Sequence, residues 1–232
     1  MQTKLIVTLL VGLASGAAFA QNASLLVYQV AEQGTDPYVS RVLVTPDYLR
    51  LDEGADDGSF TLFDRRQEIL YNVSPEDRSI LVLDVTEPVT AEDPALILQA
   101  KVEVDEQAPL VAGRRPTHVT LLANGEECSD LVVIKDTMSD AVAALGEMKT
   151  ALARMQAQTL AATPLEMRTP CDMAMNVYAP TRSLQYGLPL HERSAGRSQS
   201  LVDFDDAHAA DDALFVLPDD FDRRPLFSSG AI

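Results

Sequence analysis

Three histidines, two cysteines and eleven glycines in 232 residues leave little material for most catalytic or cofactor-binding motifs. No histidine has a partner at H-x-x-x-H or H-E-x-x-H spacing, so the common helix-borne zinc site is excluded. No G-x-S-x-G elbow surrounds a serine, no Ser-x-x-Lys pattern forms an active-site motif, and no glycine-rich phosphate loop exists. After residue 20 there is no apolar run long enough to span a bilayer. Basic residues are also scarce, 18 Lys and Arg against 35 Asp and Glu, for a net charge of −17. Nucleic acid and anionic lipid headgroups are attracted by clustered cations, so both are disfavoured as partners. The sequence therefore reads as non-catalytic, with no cofactor and no metal.

What is present begins with the first twenty residues. Lys4 precedes an uncharged run from Leu5 to Phe19, and Ala18-Phe19-Ala20 stands just before Gln21. A positive start, a short apolar core and a small-x-small end are the parts of a secretory signal peptide, cleaved between Ala20 and Gln21. No cysteine follows that site, so lipid attachment is not expected. The reading divides the chain into a signal at 1–20, one domain at 21–221 and a loose tail at 222–232. Export implies an oxidising compartment, where Cys128 and Cys171 have only each other to pair with. A bridge closing a loop of about forty residues stabilises by roughly 4 kcal/mol in the chain-entropy model.

Short strands fill the first two-thirds of the chain. Segments 47–53 and 59–65 flank the turn cluster Gly54-Ala-Asp-Asp-Gly58 and predict a hairpin. Strands at 69–73 and 79–85 follow. Apolar residues at 96, 98, 100, 102 and 104 alternate with others, predicting a strand with one buried face. Asn124-Gly125 marks a tight hairpin between 117–123 and a strand reaching Lys135. Residues 183–193 and 197–204 read as further strands around Ala195-Gly196.

Between these sets the period changes. Val142, Leu145, Met148, Leu152 and Met155 follow helical spacing within Ser139–Leu160, with Ser139 as the N-cap. The fold class expected is α+β: a curled antiparallel sheet, a half-barrel of about ten strands, with one long helix over its concave face. Such a sheet encloses a cavity unless large side chains fill it. Those five helix residues are the candidate cavity lining, and methionine suits an adaptable apolar pocket.

The remaining chemistry is sparse. His118 falls on the strand face opposite Val119 and Leu121, and His191 lies in another strand. Hydrolysis would require one of them to converge with an acid and a nucleophile. Asp203, Asp205, Asp206, His208, Asp211 and Asp212 are the densest run of metal-type ligands, but lack EF-hand spacing, its turn glycine and its terminal glutamate. They read as a solvated loop between strands. Asn22-Ala-Ser24 and Asn72-Val-Ser74 match glycosylation sequons.

Arg41 to Arg50 with Leu51-Asp52, then Phe60-Thr-Leu-Phe63-Asp64-Arg65, Glu68-Ile-Leu-Tyr71 and Leu214-Phe215-Val216-Leu217-Pro218-Asp219-Asp220-Phe221 resemble segments of bacterial exported proteins of unknown function. Their layout is similar to the periplasmic lipoprotein-carrier (LolA-like) half-barrel superfamily. The resemblance spans most of 24–221 and implies an apolar cavity for acyl chains, in the periplasm or, alternatively, in the medium. Two functions are then open. One is binding a hydrophobic ligand or lipidated chain in the cavity. The other is a filled scaffold whose acidic surface meets, or inhibits, another envelope protein.

Overall fold

The two longest strands, β1 (Ala20–Glu32) and β11 (Arg197–Asp211), pair antiparallel along nearly their whole length, from Ala20 opposite Asp211 to Glu32 opposite Arg197. Together they form the middle of one sheet in the computed structural model, which describes residues 20–84, 96–104 and 106–226. The expected signal peptide thus lies outside the described residues, except for Ala20. Cutting after Ala20 would remove one end pair of this ladder and leave Gln21 opposite Ala210.

On one side of this pair runs a meander: β2 (Tyr38–Val44), β3 (Tyr48–Asp52), β4 (Phe60–Asp64), β5 (Ile69–Ser74) and β6 (Ser79–Leu83). On the other lie β10 (Leu188–Ser194), β9 (Glu126–Ile134), β8 (Thr117–Ala123) and β7 (Leu98–Val104). β12 (Asp222–Pro225) closes the first side, parallel to β6. The expected hairpins form, with Leu51 opposite Thr61 across β3–β4. Asn124 and Gly125 both take positive φ, 50° and 83°, as the tight turn between β8 and β9 requires.

The helices are α1 (Ser139–Ala162) and the single turn α2 (Pro170–Met173), which continues as a π-type turn over Ala174–Tyr178. The expected half-barrel of about ten strands under one long covering helix is corrected on both counts. The sheet is one open sheet of twelve strands, and the fold is mostly sheet. No single helix covers a face. Twelve strands at the usual spacing extend about 53 Å, whereas a helix is only about 10 Å wide. α1 packs against β1, β2, β3 and β5, while α2 packs on β8 and β9.

Other local expectations also change. Residues 205–211 are not a loop but the far half of β11, because the first residues of β1 supply their ladder partners. Residues 222–225 are not loose tail, since β12 finds the free edge of β6. All seven residues of β7 are exposed, so this strand has no buried face. Ser139 does not cap α1: Met138, at φ 53°, takes the N-cap position without a side-chain bond. Its side chain is instead buried in the main core.

That core lies between α1 and the sheet. Ala141, Ala144, Met148 and Ala151 are the helix positions buried in it, packed with Leu26, Val44, Leu49, Phe63 and Leu70. Small residues at the contact let the helix approach the sheet closely. Of the residues expected to face inward only Met148 is fully buried; Val142, Leu145, Leu152 and Met155 flank the contact, half-buried.

Candidate functional site

On the helix side of the sheet, successive rows across β2 to β6 change from apolar to polar with distance from α1. Beneath the helix stand Val44, Leu49, Phe63, Leu70 and Leu83, all buried in the core. The next row runs Val42, Leu51, Thr61, Asn72 and Leu81, each opposite its neighbour in the ladder. Beyond it come Ser40, Glu53, Ser59, Ser74 and Ser79. This order follows from strand period two: residues two apart on one strand share a face.

α1 covers the first row and leaves the others facing a trough of about 990 Å³. Leu145, Met148 and Leu152 project from the helix into its lining, which also includes Tyr28, Leu51 and Leu81. Val142 and Met155, the other two expected lining residues, pack on the core but do not line the trough. Half-buried leucines on both sides are what an apolar ligand would touch.

The opposite wall is polar. Glu192 accepts from Ser129 Oγ at 3.3 Å and from Gln199 Nε2 at 3.1 Å. Tyr28, between it and the helix, donates to the Pro189 carbonyl at 3.1 Å. Burial, with the Glu192 charge adding to it, pushes the Tyr28 phenol well above its usual range, so it stays a neutral donor. At the mouth Glu32 accepts from Tyr38 Oη and Arg197 Nε, both at 2.9 Å. These bonds hold its carboxyl below the usual range.

Cys128 on β9 and Cys171 on α2 also line the trough, and their sulfurs lie 2.08 Å apart, bonded as a disulfide. The bridge fastens the short helical segment to the sheet, and at the start of that segment Asp172 N–H donates to Thr169 Oγ1 at 3.0 Å.

The motif residues of the middle strands build the reverse face. Arg50, 2% exposed, donates to Asp52 Oδ2 at 2.7 Å and to the carbonyls of Leu214 and Asp56 at 2.8 and 3.0 Å. Its guanidinium carbon lies 3.9 Å from the centre of the Phe60 ring. Arg41 grips Asp52 in a fork with two 2.8 Å bonds. Burial alone would raise the Asp52 carboxyl; hydrogen bonds from Arg41, Arg50 and Gly54 N–H outweigh it and hold the group below the usual carboxylate range. The segment 212–217 is thereby held over Tyr48, whose ring stacks on Phe215 at 6.4 Å. These residues staple the chain.

A second staple holds the helix. Arg65, in the turn after β4, donates to Glu147 at 2.7 Å, to Asp140 at 3.2 Å and to the Thr45 carbonyl at 2.8 Å. Arg182 is also buried and reaches two strands, donating to the carbonyls of Leu122 and Gln99 at 3.1 and 2.7 Å. Nothing in the spacing around Arg182 signals that role.

Two of the three histidines, His118 and His191, sit on the reverse face in one row, with Val132 between them, and His208 lies on β11 opposite Ala23. His118 Nε2 meets Asp130 at 2.8 Å, and His191 Nδ1 meets Ser200 Oγ at 2.9 Å. Among the described residues neither histidine bonds both a hydroxyl and a carboxylate. The acidic run of β11 brings no three ligands together either, and no group of described residues could hold a metal ion. No described helix is long and apolar enough to cross a membrane.

No family model and no curated protein matches the chain. Among solved structures, an uncharacterized conserved protein from Thermus thermophilus is similar over 88% of this chain and 90% of that one. Its identity is 12% and its TM-score 0.44. The resemblance to lipoprotein carriers therefore rests on the sequence alone.

Proposed function

We propose that this chain is an exported, non-catalytic binding protein that holds an amphipathic small molecule in the trough beside α1. The observation that carries the reading is the 990 Å³ volume itself, at the upper end of the usual range for small-molecule sites, about 300–1,000 Å³. The ligand's apolar part lies on Leu145, Met148 and Leu152, against Leu51 and Leu81. Its polar end lies toward Thr61, Asn72 and the serine row. The disulfide and the signal-like first twenty residues support an oxidising compartment, the periplasm ahead of the medium. The alternative, a filled scaffold acting through its acidic surface, is less well supported because the trough is roomy.

Mass spectrometry of protein recovered natively from its own cells tests the proposal. A stoichiometric lipid-like molecule is expected. A protein partner bound in stoichiometric amount, with no small molecule present, would overturn it.

A further inference from the structure

The two edges of the sheet are built differently. β12 is four residues long, carries Asp222, Arg223 and Arg224, and ends in Pro225. Short length, charge and proline are the usual protections against another strand adding to an edge. β7 has none of that brevity and no proline. It is seven residues long, pairs only with β8 among the described residues, and is exposed throughout.

Its composition alternates in a specific way. Leu98, Ala100, Val102 and Val104 lie on one face, beside the fully buried Ala123, Leu121 and Val119 of β8. Val102 and Val104 are nonetheless 52% and 55% exposed. Among the described residues the core's apolar surface therefore continues onto β7 and stops uncovered. Lys101 and Glu103 lie on the other face, two residues apart and opposite in sign.

We propose that β7 is a self-pairing edge, along which two copies of this chain join antiparallel with Val102 opposite Val102. In that register Ala100 faces Val104 of the second copy. Lys101 faces Glu103 of the second copy, and the symmetry repeats the ion pair. Sliding the strands by two residues either way sets Lys101 against Lys101, or Glu103 against Glu103. Like charges directly opposite destabilise a ladder and opposite charges favour it, so charge selects one register. The apolar face then runs unbroken from Val119 across both copies of Val102. The occupant is thus a second copy, because the edge is complementary to itself.

Sedimentation equilibrium of the purified protein reads the outcome. The parent is expected to approach twice the mass of one chain as concentration rises. Lys101→Glu and Glu103→Lys should each be monomeric, with circular dichroism unchanged. The double variant should dimerise again, and an equimolar mixture of the two single variants should form a heterodimer. A parent that stays monomeric at its highest attainable concentration overturns the proposal. So does a dimer indifferent to the single reversals, or a failure of the mixture to associate. None of these readings depends on the trough.

Discussion

Arg50 donates through Nη1 to the carbonyl of Leu214 at 2.8 Å, joining residues 164 positions apart in the sequence. The same guanidinium binds Asp52 at 2.7 Å, so one buried cation holds a strand, a loop and the late segment 212–217 together. Removing Arg50 takes one of the two guanidinium partners of buried Asp52, leaving Arg41 as the other, and strips the Leu214 and Asp56 carbonyls of their donor, which costs more than the intact cluster contributes. Arg50→Ala is expected to lower unfolding free energy by about 3–5 kcal/mol, measured by urea titration. It should also expose the 212–217 segment to limited proteolysis. Little change in either would show that the cluster is not the staple described.

Asp52 also sets a pH dependence. Its folded carboxyl is held below its ordinary value of 3.8, so its contribution is fully present above that pH. It fades as pH falls through the lower folded value, because the unfolded chain then takes up the proton first. Asp52→Asn should therefore be much less stable than the parent at neutral pH. The gap should narrow as the pH drops below about 3.8. Urea midpoints of both proteins along a pH series check this; a gap that widened in acid would contradict it.

The Cys128–Cys171 bridge closes a separation of 43 residues. Reduction is expected to cost roughly 4 kcal/mol in the chain-entropy model. Alkylation of unreduced, denatured protein should label neither cysteine, while prior reduction should label both.

Gly187 enters β10 at φ 119°, and a Cβ there would collide with the carbonyl of Ile134 on the paired strand. Backbone strain of this kind costs about 1–3 kcal/mol by itself. Gly187→Ala is expected to exceed that range, since the Ile134 carbonyl is backbone and cannot swing aside. The thermal midpoint of the variant is the measurement.

Thr61 stands half-buried in the mixed row of the trough, with its hydroxyl bonded to Asn72 at 2.8 Å. Thr61→Trp places a large ring where an apolar ligand would lie. Binding of an apolar fluorescent dye should weaken by about tenfold or more, equivalent to about 1.4 kcal/mol. The midpoint of unfolding should move much less. Unchanged dye affinity would mean that the dye binds elsewhere.

Period two and turn chemistry were enough to identify the hairpin of β3 and β4, and Asn124-Gly125 located the turn between β8 and β9. Local sequence also placed α1 to within two residues at its C-terminal end, Leu160 against Ala162. These features depend on neighbours in the chain. The face that α1 turns to the sheet did not follow from spacing, because alanines allow a closer approach than the larger residues one position away. Only Met148 belongs to both stripes.

The far half of β11 and all of β12 were illegible for another reason. Both are rich in charged residues and lack large apolar side chains, and their backbones become strands only because β1 and β6 offer unpaired edges distant in sequence. The trough has the same origin. Residue order alone establishes an acidic, strand-rich chain with one amphipathic helix and two cysteines free to pair. Long-range pairing puts twelve strands into one open sheet and leaves the helix covering only part of it. An uncovered remainder is a property of relative widths, about 53 Å of sheet against about 10 Å of helix, which no local pattern encodes.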